Sequence, residues 1–305
     1  MVQKALAMGL ARSIRHWQLS VLLYAWHVLI ALGLGIPLIT LWQASLSTSL
    51  YSARMVDELD LSWAAGFFWA NVPPAGLGPV AVGALMAISG TVYLLLAPAI
   101  TASLLGALAG DQRHFRVQPL LEGLRRHSGP FYRLAFLSLP AFGLSALTLA
   151  AVAWTLRALL GPSLTPRNEL WMTWVRGAAM VTTLVVVRLA WDYARIAIAV
   201  ENDRRAWRQL SRATRLVLGR PGPVLGTFLA VEAVWLAAAI PLVWWLERPS
   251  PSSLVLTFLL QQVMILSRQW ARVACSAAQV ELYRQLNAPP RETAGSGDAL
   301  PAASA

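Results

Sequence analysis

Cysteine, lysine and charge of either sign are what this sequence has least of. A single cysteine, Cys275, rules out an intrachain disulfide and any Cys-rich metal site. Lys4 is the only lysine, so the basic side chains are almost all arginine, a matter of codon usage in a GC-rich bacterial genome rather than of physics. Charged residues make up 13% of the chain, against roughly 25% in an ordinary soluble domain. That shortfall argues against the two soluble domains that 305 residues would otherwise hold. Catalytic signatures are missing as well. There is no His-Glu-x-x-His metal helix, no Walker loop and no Gly-x-Ser-x-Gly elbow.

What is present is apolar surface in long runs. The chain is 57% hydrophobic, with a mean hydropathy of +0.56. A span needs about 20 apolar residues to cross a ~30 Å hydrocarbon core. Six stretches qualify, at roughly 19–42, 78–109, 130–160, 171–200, 223–246 and 253–283. Several exceed the minimum and should tilt or extend past the bilayer. Residues 1–18 are not a secretory signal, because the apolar run after them is too long and no small-residue cleavage site follows. The fold class expected is an all-α integral membrane protein, six transmembrane helices arranged as three hairpins.

Arginines alternate between the connections. One side carries Lys4, Arg12 and Arg15, then Arg113, Arg116, Arg125 and Arg126, then Arg204, Arg205, Arg208, Arg212, Arg215 and Arg220, and finally Arg284 and Arg291. The other side has only Arg54, Arg167 and Arg248. The positive-inside rule places both termini in the cytoplasm of a bacterial cell. Trp42, Trp63, Trp69, Trp154, Trp171, Trp174, Trp244 and Trp245 fall near the outer ends, as an anchoring aromatic belt would. A net charge of +11 beside apolar spans fits an anionic leaflet and excludes nucleic acid as the partner.

Each odd-numbered span follows a basic entry: Arg15-His16-Trp17-Gln18, Arg126-His127-Ser128-Gly129-Pro130 and Arg220-Pro221-Gly222-Pro223. Spans four and six share Tyr193-Ala194-Arg195-Ile196-Ala197 and Trp270-Ala271-Arg272-Val273-Ala274. These matches suggest an internal triplication of a hairpin. The long outer link 43–77, with Asp57, Glu58 and Asp60 before Trp63, Phe67, Phe68 and Trp69, reads as an amphipathic surface helix. The tail 284–305, rich in Ala, Pro, Ser and Gly, reads as disordered and cytoplasmic.

Basic amphipathic segments line the inner side. Arg204, Arg208, Arg212 and Arg215 recur at i, i+4, i+8 and i+11, with Arg205 alongside. Trp207, Leu210, Ala213, Thr214, Val217 and Leu218 form the other face. Such a helix suits the membrane surface, its arginines among lipid phosphates at about 1 kcal/mol each. A shorter version follows Pro119, with Leu120, Leu121 and Leu124 opposite Glu122, Arg125 and Arg126. Residues 1–18 make a third, with Leu6, Leu10, Ile14 and Trp17 opposing Lys4, Arg12 and Arg15. The helices act as topology determinants and anchors, or as a platform for anionic headgroups or a cytoplasmic protein partner.

Ionisable groups inside the spans are costly and need partners. Span four has Arg188, Asp192 and Arg195 on one face. Span five has Glu232, and span six has Gln261, Arg268, Arg272 and Gln279 on one stripe. Glu232 lies 17 residues before Pro249 and Arg268 lies 19 after it, so the two reach similar depth. A Glu232–Arg268 or Glu232–Arg272 pair is expected. Two readings of the cluster stay open: pairing that fixes helix packing, or a polar cavity holding an anion such as a phospholipid head. An anion is favoured over a proton because the arginines outnumber Asp192 and Glu232. Gly106 and Gly110 form a small-xxx-small pattern for close helix approach. Pro98, Pro140 and Pro241 should kink their spans. His27 reads as a satisfied buried histidine.

The run Arg188-Leu189-Ala190-Trp191-Asp192-Tyr193-Ala194-Arg195-Ile196-Ala197, followed by Asp203-Arg204-Arg205 and a basic helix, resembles poorly characterised bacterial six-span proteins of unknown function. The arrangement is also similar to the membrane domain fused to some glycerophosphodiester phosphodiesterases, without their soluble catalytic domain. That resemblance implies a membrane location and a helical bundle, and it carries over no functional residue. Asp192-Tyr193-Ala194-Arg195 lacks the downstream glycine and paired aspartates of CDP-alcohol phosphotransferases. No enzyme, cofactor or metal is expected. The expected role is a non-enzymatic membrane component engaging anionic lipid or a partner through its basic face. The alternative is a transporter or lipid-handling protein with an intramembrane anion site.

Overall fold

The computed structural model describes residues 1–47, 77–110, 115–160, 166–246 and 254–287. Eight helices account for nearly all of these: α1 Val2–Arg15, α2 Trp17–Ser47, α3 Leu77–Ala109, α4 Val117–Leu160, α5 Pro166–Glu201, α6 Ala206–Gly219, α7 Pro221–Leu246 and α8 Leu254–Asn287. No strand occurs among the described residues. Five helices hold stretches long and apolar enough to cross a membrane: Trp17–Pro37, Ala87–Ala109, Val117–Thr155, Glu169–Glu201 and Pro221–Leu246. Helices suit hydrocarbon because they satisfy their backbone polar groups internally. Their outward faces carry large apolar side chains, Leu29, Leu94, Phe136, Leu147, Val181 and Ile240 among them. The helices run on through Pro37, Pro98, Pro130, Pro140 and Pro241.

α8 is long enough to span but is not among the five, because Gln261, Gln262, Arg268, Gln269 and Arg272 dilute its apolar run. Its surroundings account for this. α8 packs against α1, α2, α3, α5 and α7, so protein rather than lipid covers much of it. The C-terminal half is closely packed through Ala271, Val273, Ala274, Ala277, Ala278 and Val280. α5 supplies the matching surface with Tyr193, Ala194, Ile196, Ala197 and Ile198.

Small residues set the closest crossings. A Cβ on Gly9 of α1 would stand 2.5 Å from the Cα of Ala278 on α8. One on Gly106 of α3 would stand 2.6 Å from the Cα of Gly123 on α4. Neither position tolerates a side chain without separating the helices. At the same end of the bundle, Arg12 donates to the Gly110 carbonyl and Arg284 to that of Ala109. Cations thus satisfy the terminal carbonyls of α3, where the helix dipole favours them.

Three expectations change. Leu6 and Leu10 pack against the core as expected, but the most buried face of α1 is Ala5, Gly9 and Ser13, while Ile14, and Trp17 at the start of α2, are exposed. The small residues let the helix backbone itself approach α8, which an apolar stripe of larger side chains would prevent. The segment after Pro119 is not separate from the third span. It forms the first turns of the 44-residue α4, with Leu120 buried and Leu121 exposed. The tail does not begin at residue 284, since α8 continues to Asn287, held by packing of Leu282, Tyr283 and Leu286. Residues 288–305, most of the outer link (48–76), and Trp63 and Trp69 lie outside the described residues, as does the side chain of Trp42. Trp154, Trp171, Trp174 and Trp244, near the ends of α4, α5 and α7, are exposed.

Candidate anion-binding site

α5 presents Arg188, Asp192 and Arg195 to one interhelical space from between buried positions, with Arg188 the most open of the three. Leu189, Ala190, Tyr193, Ala194, Ile196 and Ala197 are each 3% exposed or less, and they fix the rotation of the helix about its axis. α8 does the same with Arg268 and Arg272, flanked by buried Gln269, Ala271, Val273 and Ala274. The two pentapeptides that match in sequence therefore aim Arg195 and Arg272 into one space. α7 brings Glu232 opposite Arg268.

These side chains form a row of alternating charge. Arg195 Nη1 is 3.5 Å from Asp192 Oδ1, and Asp192 Oδ2 is 3.7 Å from Arg188 Nε. Arg188 Nη2 lies 3.9 Å from Glu232 Oε1. Glu232 accepts two hydrogen bonds from Arg268, through Nη1 and, at 3.3 Å, through Nη2. Aromatic faces cover the middle and one end of the row: Arg188 lies 5.0 Å from the Phe228 ring centroid and Arg268 4.3 Å from that of Trp235. Glu232 thus pairs with Arg268, not with Arg272.

Arg272 stands apart from the row. No carboxylate lies within ion-pair distance of it among the described residues. Its Nη1 donates to His27 Nε2 at 3.2 Å and to Gln269 Oε1 at 3.4 Å. The other ring nitrogen of His27 is 2.7 Å from the Leu23 carbonyl. That geometry fits the neutral tautomer, with Nδ1–H donating and Nε2 accepting. His27 is satisfied, as its isolation in the sequence implies, and it also reaches the cluster.

Arg188, Asp192, Arg195, Arg268 and Arg272 line a cavity of about 450 Å³ between α2, α3, α5 and α8. Trp26, His27 and Tyr93 close it from α2 and α3, and Cys275, Ser276 and Gln279 from α8. Glu232 is not on its wall. Four guanidinium groups therefore face one carboxylate across the cavity, with Glu232 behind. A charge surplus at the depth of the apolar spans is costly unless a counter-charge enters. Among the described residues no group of His, Cys, Asp and Glu could hold a metal ion.

The basic helix α6 occupies another place, at the end of the bundle that holds α1. Leu210, Ala213 and Val217 are buried, while Arg204, Arg205, Arg208, Arg212 and Arg215 are exposed. Trp207 and Leu218, read from the sequence as part of the apolar face, are exposed and do not join Leu210, Ala213 and Val217 in packing against the bundle. Ala206 and Gln209 take that packed face with the smaller residues. A turn through Asn202, at φ 56°, reverses the chain from α5 into α6. There Glu201 accepts from Gln209 at 3.0 Å, from Arg212 at 2.6 Å and from Tyr283 of α8. α6 itself carries Arg208, Arg212 and Arg215, with Arg205 as its N-cap and Arg204 just before it, and of these Arg212 is tied to the bundle. Glu201, Gln209 and Tyr283 escaped sequence reasoning. A glutamine on the otherwise apolar face of a basic helix was the available signal.

Compared with models of protein families, with curated proteins and with solved structures, the chain matches none of them, so the chemistry of the site is read from its own residues.

Proposed function

We propose that this protein is a six-span membrane protein that binds an anionic, phosphate-bearing group in its arginine-lined cavity. The single observation that carries this reading is Arg272, a guanidinium on the cavity wall with a histidine and a glutamine for partners and no carboxylate. The cavity volume of about 450 Å³ falls in the range of small-molecule sites. The row ending in Glu232–Arg268 fixes α5, α7 and α8 together, and the remaining positive charge is left for a ligand.

α8 is the sixth span in this reading, and both ends of the chain are cytoplasmic. The crowding of exposed arginines on α6 supports that orientation. α6 then lies along the inner leaflet, with Arg208 and Arg215 among phosphates and Trp207 and Leu218 at the edge of the hydrocarbon. The same face is where a cytoplasmic protein partner would dock.

Two measurements test these statements. Cys275 is buried, so an introduced cysteine can be labelled selectively. Arg208→Cys should react with an impermeant maleimide in inside-out vesicles only, and Trp171→Cys in right-side-out vesicles only. The reverse pattern overturns the orientation. For the site, the purified protein in neutral detergent is melted with glycerol 3-phosphate or dioleoylphosphatidic acid. A ligand at 100 times its Kd stabilises the folded state by about 2.7 kcal/mol. At least one of the two should raise the Tm of wild type and fail to do so with Arg272→Gln. No shift with either sinks the anion site.

A further inference from the structure

The polar cavity has an apolar neighbour. A second recess, of about 270 Å³, lies between α2, α3 and the first turns of α4. Leu19, Leu22, Leu96, Ala99, Leu120 and Leu124 line it and have no part in the arginine cavity. Leu23, Trp26, Ile100 and Leu104 line both. The chemistry changes completely across those four side chains. One side holds Arg268 and Arg272. On the other the polar side-chain groups are Ser103 and the Trp26 indole, and the Ser103 hydroxyl is engaged, donating to the Leu120 carbonyl at 2.8 Å.

We propose that the ligand is a membrane lipid, with its phosphate-bearing head in the arginine cavity and an acyl chain in the adjoining recess, passing by Leu23, Trp26, Ile100 and Leu104. The proposal rests on the anion-binding reading above and deepens it. A soluble anion would fill the first space and leave the second empty, without the contacts that a close-packed interior gains. An acyl chain fills it with matching chemistry. Leu22, Leu96 and Leu124, on the recess wall, are exposed on the outside of the bundle, where bilayer lipid is the neighbour. α2 and α3, which supply all four residues of the shared wall, are two of the five helices suited to the hydrocarbon core. Head and tail thus have separate, contiguous places along a route that starts in the membrane.

The test compares three probes on the full-length protein in neutral detergent, read by native mass spectrometry and by thermal shift. They are dioleoylphosphatidic acid, glycerol 3-phosphate (the head alone) and dioleoylglycerol (the tails alone). Dioleoylphosphatidic acid should bind about 100-fold more tightly than either fragment. Arg272→Gln should weaken it about tenfold or more, and so should Ala99→Trp, which fills the recess and leaves the arginine wall untouched. Affinity should also fall when the chains are shortened from dioleoyl to dihexanoyl, a comparison made on wild type that needs no variant to fold. If glycerol 3-phosphate binds as well as the lipid, or chain length has no effect, the tail site is wrong and the anion site stands. If dioleoylglycerol binds as well as the phosphatidic acid, the head-and-tail arrangement is wrong. If neither phosphate probe binds wild type, the anion reading fails, and this inference falls with it.

Discussion

Glu232 is where removal of one side chain should matter most. Its carboxylate takes both prongs of Arg268 and lies within 3.9 Å of Arg188. Breaking a fully buried pair costs about 3–5 kcal/mol because the surviving charge is stranded. The Arg268 side chain keeps a third of its surface open, so about 2–3 kcal/mol is expected here. Glu232→Ala should lower the Tm in detergent by several degrees, and Glu232→Arg by more, since it puts a third guanidinium beside two. The exchange Glu232→Arg with Arg268→Glu should recover part of the loss. A Glu232→Arg protein that melts and accumulates like wild type would refute the pairing. Much of this cluster was legible from spacing. Arg188, Asp192 and Arg195 share a face by helical period, and depth counting across Pro249 brought Glu232 to Arg268. The approach of His27 to Arg272 was not legible, because no sequence relation ties α2 to α8.

Among the elements, α1 depends on a face that hydrophobicity does not reveal. Ala5, Gly9 and Ser13 contribute little apolar area, and their smallness is what lets two helix backbones meet. Gly9→Val should therefore lift α1 from α8, where Gly9→Ala already meets Ala278. The change should free Arg12, which is half-buried and bonded to the Gly110 carbonyl, to trypsin in inside-out vesicles while α2 to α8 stay intact. Unchanged protection of Arg12 would show that the crossing tolerates a side chain. The α3–α4 crossing was partly readable from Gly106, but its partner Gly123 lies in a segment read as a separate surface helix. Local patterning marks where a helix is basic or apolar. It does not mark where one helix runs uninterrupted into the next, as α4 does through Pro130.

For the whole molecule, the asymmetry of charge is the property with the widest effect. Much of the positive charge behind the net +11 lies on α1, on α6 and the residues just before it, on the first turns of α4 and at the end of α8. In the proposed orientation each α6 arginine near an anionic leaflet contributes about 1 kcal/mol. Replacing Arg204, Arg205, Arg208 and Arg215 by Gln should weaken retention of anionic lipid during detergent extraction and yield a mixed orientation by cysteine labelling. Arg212→Gln should act differently, loosening the Glu201 node and lowering the Tm with a smaller effect on lipid. Membrane character was plain from composition alone, yet the rank of the helices was hidden. The least apolar of the long helices turned out to be the one that the most others surround. α8 contacts α1, α2, α3, α5 and α7, and the ribosome makes it after all five. Until Leu254–Asn287 emerges, Arg188 and Glu232 wait in the nascent protein without Arg268, and α1 has α7 to rest on but lacks its main partner α8. Assembly must therefore finish after insertion, and a stop codon anywhere before residue 254 should leave only fragments that quality-control proteases clear.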